Sequence, residues 1–132
     1  MSDDTKKTIL VVDDEPDIRK LVAAMATQSG YSVITADSGE HALSILKNLK
    51  EPLELLITDV VQPGMSGPML ADKLVAMQPD LKVLYMSGYD NTMVVQKYVV
   101  EKGHALLPKP FSAEEFYAKV KETLQAKAAT QA

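Results

Sequence analysis

Apolar residues fall into two rhythms along this chain. Ile9-Leu10-Val11-Val12 is a continuous aliphatic run that stops at Asp13-Asp14-Glu15-Pro16. After it, Ile18, Leu21, Val22, Met25 and Ala26 recur at helical spacing, until Gly30 offers a stop. Pro16 suits the first turn of that helix, and the acids before it suit the positive end of a helix dipole. The two rhythms then repeat. Residues 31–36 predict a second strand built on Val33 and Ile34. Asp37 or Ser38 caps the next helix, with Glu40 as capping-box partner of Asp37. Ala42, Leu46 and Leu49 form its apolar face, and Pro52 bars its extension. Residues 54–59 are an apolar run ended by a single carboxylate, Asp59, and by the turn formers Pro63, Gly64, Ser66 and Gly67. A third helix runs over about 66–77, with Leu70, Leu74 and Met77 inward. Residues 81–86 predict a fourth strand, and 92–102 a fourth helix that stops at Gly103. Ala105-Leu106-Leu107 is a short fifth strand, closed by Pro108-Lys109-Pro110. Ser112 and Glu115 form a capping box for a last helix that turns Phe116, Val120 and Leu124 inward.

This is strand–helix alternation five times over. Strands that are apolar on both sides belong to a parallel sheet covered by helices on both faces. The predicted fold class is therefore α/β: a three-layer α/β/α sandwich around a five-stranded parallel sheet in the flavodoxin-like order 2-1-3-4-5. In that order strands one, three and four have neighbouring carboxyl ends, and open α/β sheets bind their ligands just outside such ends. Bulk composition agrees. A chain of 132 residues, 46% hydrophobic and 24% charged, suits one globular domain with a sizeable core. The lack of cysteine excludes disulfides, thiol catalysis and zinc–thiolate sites. Two histidines, His41 and His104, are too few for a His-rich metal site. A net charge of −4 argues against nucleic-acid binding. No apolar run approaches the ~20 residues of a membrane span, and the polar N-terminus has no signal region. The expectation is a cytoplasmic protein that binds neither nucleic acid nor membrane.

The candidate chemistry sits at the strand ends. Asp13 and Asp14 end strand one, Asp59 ends strand three, Ser87 ends strand four, and Lys109 follows strand five. Each has an ordinary explanation alone: helix-start acids, a turn former, a loop serine, a solvated lysine. Their convergence at one end of one sheet is what points to a site. Crowded carboxylates repel, and a hard divalent cation resolves the repulsion. An all-oxygen donor set favours magnesium. With the metal and the Lys109 ammonium beside it, an ionised Asp59 is a competent nucleophile toward phosphorus. The same two cations neutralise the oxygens of a transferring phosphoryl group. Ser87 can donate to another oxygen, and Gly88 leaves room for the group.

Asp13-Asp14, Asp59 followed by Pro63 and Gly67, Ser87-Gly88 and Lys109-Pro110-Phe111 together resemble the receiver domain of two-component response regulators. The resemblance spans residues 8–126, leaving a flexible tail at 1–7 and a second tail at 127–132. It implies that Asp59 accepts a phosphoryl group from a phosphohistidine on a sensor histidine kinase or histidine phosphotransfer protein. It implies magnesium, or manganese, held by Asp14, Asp59 and the backbone carbonyl of Val61, with Asp13 acting through water. Ser87 and Lys109 become phosphoryl contacts and switch residues, and the Lys109–Pro110 bond is implied to be cis. Pro63, Gly67, Gly88 and Pro110 shape the surrounding loops. Residues 84–89 and 109–112 are similar to receivers attached to hybrid sensor kinases. No enzyme in the usual sense is implied, because the chain catalyses only its own phosphorylation and dephosphorylation. With no output region in the remaining tail, the signal leaves by conformational change and protein contact.

One position departs from the family pattern. Three residues before the lysine the family carries Tyr or Phe, whose ring swings inward on phosphorylation; here the residue is Leu106. Two more positions bear on the lifetime of the phosphoryl group. Val61 and Tyr89 flank the expected path of attacking water, and neither offers a carboxylate or amide to orient it, so self-dephosphorylation is expected to be slow. The fourth predicted helix carries Met93, Val94, Val95, Tyr98, Val99 and Val100, more than one inward stripe uses. The surplus suits homodimerisation or partner docking through helix four, strand five and helix five. The alternative function is a phosphorylation-independent interaction module on the same fold, against which the intact acidic set and Lys109 argue. An aspartyl phosphohydrolase would want a second acid at Val61, and a flavin carrier would not place Asp13-Asp14-Glu15 where a phosphate must sit.

Overall fold

A computed structural model describes residues 7–49, 51–88, 99 and 101–125. Five strands form a single sheet: β1 (Thr8–Val12), β2 (Ser32–Ala36), β3 (Leu55–Asp59), β4 (Lys82–Ser87) and β5 (Ala105–Pro108). All neighbouring pairs are parallel, in the order β2-β1-β3-β4-β5. This is the flavodoxin-like, doubly wound arrangement. The described helices are α1 (Pro16–Gln28), α2 (Gly39–Leu46), α3 (Gly67–Met77) and α4 (Ala113–Gln125).

The pleat divides the core in two, because successive side chains of a strand point to opposite faces. Ile9 and Val11 of β1, Leu55 and Ile57 of β3, and Leu84 and Met86 of β4 pack with Val22, Met25 and Ala26 of α1 and Phe116 and Val120 of α4. Leu10, Val12, Leu56, Val83 and Tyr85 point the other way, onto Ala42 of α2 and Leu70, Ala71 and Leu74 of α3. The central strands are dry on both faces, and each is buried from end to end apart from the half-exposed Asp59 and Lys82. β2 is one of the two edge strands, and only Ala36 of it is fully covered.

Capping follows local chemistry. The Ser38 hydroxyl, and not Asp37, accepts the His41 N–H at 3.0 Å and starts α2. Asp37 instead donates its own N–H to His41 Nδ1 at 3.1 Å, so the predicted Asp37–Glu40 box does not form. The box predicted for the last helix is present: Glu115 N–H to Ser112 Oγ at 3.0 Å, and Ser112 N–H to Glu115 Oε1 at 2.8 Å. α2 ends at Leu46, well before Pro52, where Asn48 and Leu49 donate back to the carbonyls of Ile45 and Leu46. Leu49 still packs on the core from beyond the helix.

Two residues expected inside face water. Leu21 is 53% exposed because Val22, Met25 and Ala26 already fill the inward stripe of α1 and leave it on the margin. Met77 is 63% exposed because it is the last residue of α3, where the chain turns away through Gln78. The fourth predicted helix, with its surplus apolar residues Met93, Val94, Val95, Tyr98 and Val100, lies outside the described residues. Val99 is described and is buried against the α3 side of the sheet. Tyr89 also lies outside them. Among the described residues no helix is long and apolar enough to cross a membrane.

Candidate functional site

The carboxyl ends of β1, β3 and β4 and the loop after β5 meet at one crevice. β1 runs out at Asp13, whose N–H makes a last sheet bond to Ala36 O at 3.3 Å. Its side chain is fully buried. Oδ1 accepts the Glu15 N–H at 2.9 Å, a short Asx turn that opens α1. Oδ2 is buried with no hydrogen-bond partner and lies 3.6 Å from Lys109 Nζ. The carbonyl of Asp13 accepts from Arg19 Nη1 at 2.7 Å.

Asp59 closes β3 beside Met86 of β4. The next N–H, of Val60, returns to Met86 O at 3.1 Å, and Gly67 N–H bonds Val60 O at 3.0 Å, drawing α3 back onto the strand end. That approach has room for no side chain, since a Cβ on Gly67 would collide with the carbonyl oxygen of Asp59 and lie 3.2 Å from Val60 Cα. Gly64 holds the turn before it with φ of 74°, a conformation that suits glycine. Ser66 then caps α3, accepting the Met69 N–H at 3.3 Å.

Lys109 arrives on the loop after β5. Its N–H bonds Ser87 O at 2.6 Å, and the Lys109–Pro110 peptide is cis, as the family resemblance implies. Nζ donates to Asp59 Oδ2 at 3.1 Å. One ammonium thus bridges two carboxylates from different strands. Ser87 is buried at the end of β4, its hydroxyl turned toward Gly88 O at 3.5 Å. Asp59, Ser87, Gly88 and Lys109 line an open cavity of about 440 Å³, together with Glu15, Val60, Val61 and Pro110. Val61 is 78% exposed at its rim.

Electrostatics mark the crevice as short of positive charge. Burial raises the Asp13 pKa above its ordinary value, and the charges of Asp59 and Asp14 add to the rise; the Glu15 N–H and Lys109 pull it down without cancelling it. Burial by itself would lower the Lys109 pKa. The hydrogen bond to Asp59 and the charges of Asp13, Asp59 and Glu15 more than offset that, so the ammonium is held charged. One oxygen from each of Asp13, Asp14 and Asp59 lies within 4.8 Å of the others. Asp14 is exposed and Asp59 half-buried. This donor set fits a hard divalent cation: all oxygen, water-accessible on one side, with a buried orphan oxygen on Asp13.

A match to the response regulator receiver domain covers residues 9–121. The chain belongs to the response regulator receiver family. The chain is 35% identical over 118 residues to the sensor kinase CckA of Brucella abortus, a match covering 89% of this chain and 12% of that kinase. It is 30% identical over 118 residues to the receiver protein CpdR of the same organism, covering 89% of this chain and 97% of CpdR. The crystal structure of the receiver domain of the hybrid histidine kinase CckA superposes with a TM-score of 0.73 at 32% identity, covering 89% of this chain and 99% of that one.

In this receiver the sheet register gives the Leu106 substitution a neighbour. Leu106 pairs across the sheet with Tyr85 of β4. Leu106 is half-buried, and the Tyr85 ring beside it is fully buried and meets the His104 ring edge-on, centroids 5.8 Å apart. Burial lowers the His104 pKa, with Lys102 acting in the same direction and Asp72 against it. An aromatic ring therefore occupies this level of the sheet, on the strand that ends in Ser87. Glu15, in the cavity lining, and Arg19, on the Asp13 carbonyl, join the site only in the folded structure. In the sequence Glu15 reads as a helix-start acid, and the arginine six residues after Asp13 carries no signal until the loop is folded.

Proposed function

We propose that this receiver is a phosphoacceptor: Asp59 takes a phosphoryl group from the phosphohistidine of a sensor histidine kinase or histidine phosphotransfer protein, in a magnesium- or manganese-dependent reaction. The observation that carries this reading is the Lys109 ammonium, 3.1 Å from Asp59 Oδ2 and 3.6 Å from Asp13 Oδ2, inside an open cavity. Asp14 and Asp59, with the carbonyl of Val61, would hold the metal, and Asp13 would act on it through water. The bound cation supplies charge to neutralise the phosphoryl oxygens.

The chain's own residues do the rest. An Asp59 oxygen forms the O–P bond as the N–P bond of the donor breaks. The imidazole leaves with the bonding electron pair and takes up a proton. Lys109 gives up its bond to Asp59 Oδ2 to meet the developing charge on a phosphoryl oxygen. Ser87 turns its hydroxyl from Gly88 O toward another oxygen, and that movement starts the switch. Signalling then passes by conformational change to a protein partner. Incubation with magnesium and acetyl phosphate, followed by intact mass measurement, is expected to show a single phosphoryl adduct that Asp59→Ala abolishes. No adduct, or an adduct that survives Asp59→Ala, overturns the reading in favour of a phosphorylation-independent interaction module.

A further inference from the structure

Arg19 is the chain's only arginine, and it makes one of the shortest side-chain bonds at the crevice, from Nη1 to the Asp13 carbonyl at 2.7 Å. We infer that Arg19 is a positioning residue for the metal: it fixes the acidic loop between β1 and α1 and thereby sets the cation affinity of the site. The inference rests on the metal reading of Asp13, Asp14 and Asp59 given above.

Besides its ion pair with Lys109, Asp13 is held by three hydrogen bonds. Its N–H goes to Ala36 O, its Oδ1 to the Glu15 N–H, and its carbonyl to Arg19. The first two are bonds of the strand and its turn. Only the third comes from a side chain further along α1, and it ties the helix to the strand end. The peptide unit is planar, so clamping the Asp13 oxygen also fixes the amide of Asp14, the exposed acid of the set. A charge-assisted bond of this length holds its geometry well, and the planar guanidinium fork aims it in a way that a lysine ammonium does not.

Two roles for Arg19 predict opposite signs. A positive charge beside a cation site weakens cation binding, so loss of the charge alone would tighten magnesium. Loss of a positioning contact weakens it, typically by ten-fold or more for groups that orient metal ligands. The test is calorimetric titration of the full chain with magnesium chloride, with thermal melts in EDTA to establish folding. Arg19→Gln is expected to weaken magnesium about ten-fold. Arg19→Lys keeps the charge but not the fork, and is expected to show a smaller loss in the same direction. Unchanged or tighter magnesium binding in a folded Arg19→Gln overturns the inference. Should Arg19→Gln fail to fold, unchanged binding in Arg19→Lys overturns it equally. A wild-type chain that binds no magnesium overturns the metal reading itself, and Asp14→Asn serves as the non-binding reference for that outcome.

Discussion

Replacing Asp13 by Asn should stabilise the metal-free protein. One oxygen from each of Asp13, Asp14 and Asp59 lies within 4.8 Å of the others. Unit charges at that outer limit repel by about 3.5 kcal/mol at an effective dielectric of ~20, and closer ones by more. Lys109 Nζ, 3.6 Å from Asp13 Oδ2, attracts by about 4.6 kcal/mol on the same footing. It offsets one acidic neighbour and not both. Asp14 is exposed, so solvent screens much of its share, while the full burial of Asp13 adds a desolvation cost. The net penalty of the Asp13 charge is then about 1–2 kcal/mol. Asn keeps the shape and the acceptor for the Glu15 N–H, so Asp13→Asn should melt about 4–8 °C higher than wild type in EDTA at neutral pH. The sign with pH follows from the raised pKa. The folded state binds the Asp13 proton more tightly than the unfolded chain does. The penalty is therefore present above the folded pKa of Asp13, shrinks as pH falls through it, and is gone below the ordinary value of 3.8. Thermal melts of both proteins across pH, with and without magnesium, read all of this. A variant that melts lower than wild type in EDTA, or a gap that does not close toward acid pH, refutes the reasoning.

The remaining expectations concern the loops and the lifetime of the phosphoryl group. Gly67→Ala sets a Cβ against the Asp59 carbonyl, where only backbone could give way; it should cost about 1–3 kcal/mol by denaturant melt and lower the phosphoryl yield. Val61→Asn places an amide at the exposed rim of the cavity and should speed decay of phospho-Asp59; Tyr89→Glu, outside the described residues, should do the same. Unchanged decay in both would show that neither position orients the attacking water. Ser112→Ala removes the hydroxyl that accepts the Glu115 N–H and should lower stability by about 1 kcal/mol. Magnesium at about ten times its Kd should raise wild-type stability by about 1.4 kcal/mol, a gain that Asp59→Ala loses.

Much of the architecture could be read from the chain because its physics is local. Apolar runs cut off by Asp13, Asp59 and Pro108 mark strands, and their alternation with helical stripes leaves little besides a doubly wound sheet. The same logic located the acids and Lys109, since a strand end is visible in one dimension. What escaped was set by neighbours in space. Periodicity marks the end of α3 at Met77 and sets that residue on the inward stripe, but does not show that the last turn runs past the core and leaves it in water. Asp37 and Ser38 are both competent caps, and the hydroxyl reaches the His41 N–H while Asp37 turns its own N–H to the imidazole. Position 106 carries no ring, but a buried ring, Tyr85, stands beside it on the next strand, and only the β4–β5 register reveals that pairing. Arg19 binds a backbone carbonyl, and no residue type announces that.

The central claim is that Asp59, and no other group, carries the phosphoryl. Borohydride reduces an acyl phosphate to an alcohol, which would leave homoserine in place of aspartate at the modified position. The protein treated with magnesium and acetyl phosphate, reduced, digested and mapped by mass spectrometry is predicted to carry homoserine at position 59 alone, and only when both donor and magnesium were present. Homoserine at another acid, or at none, would contradict the account.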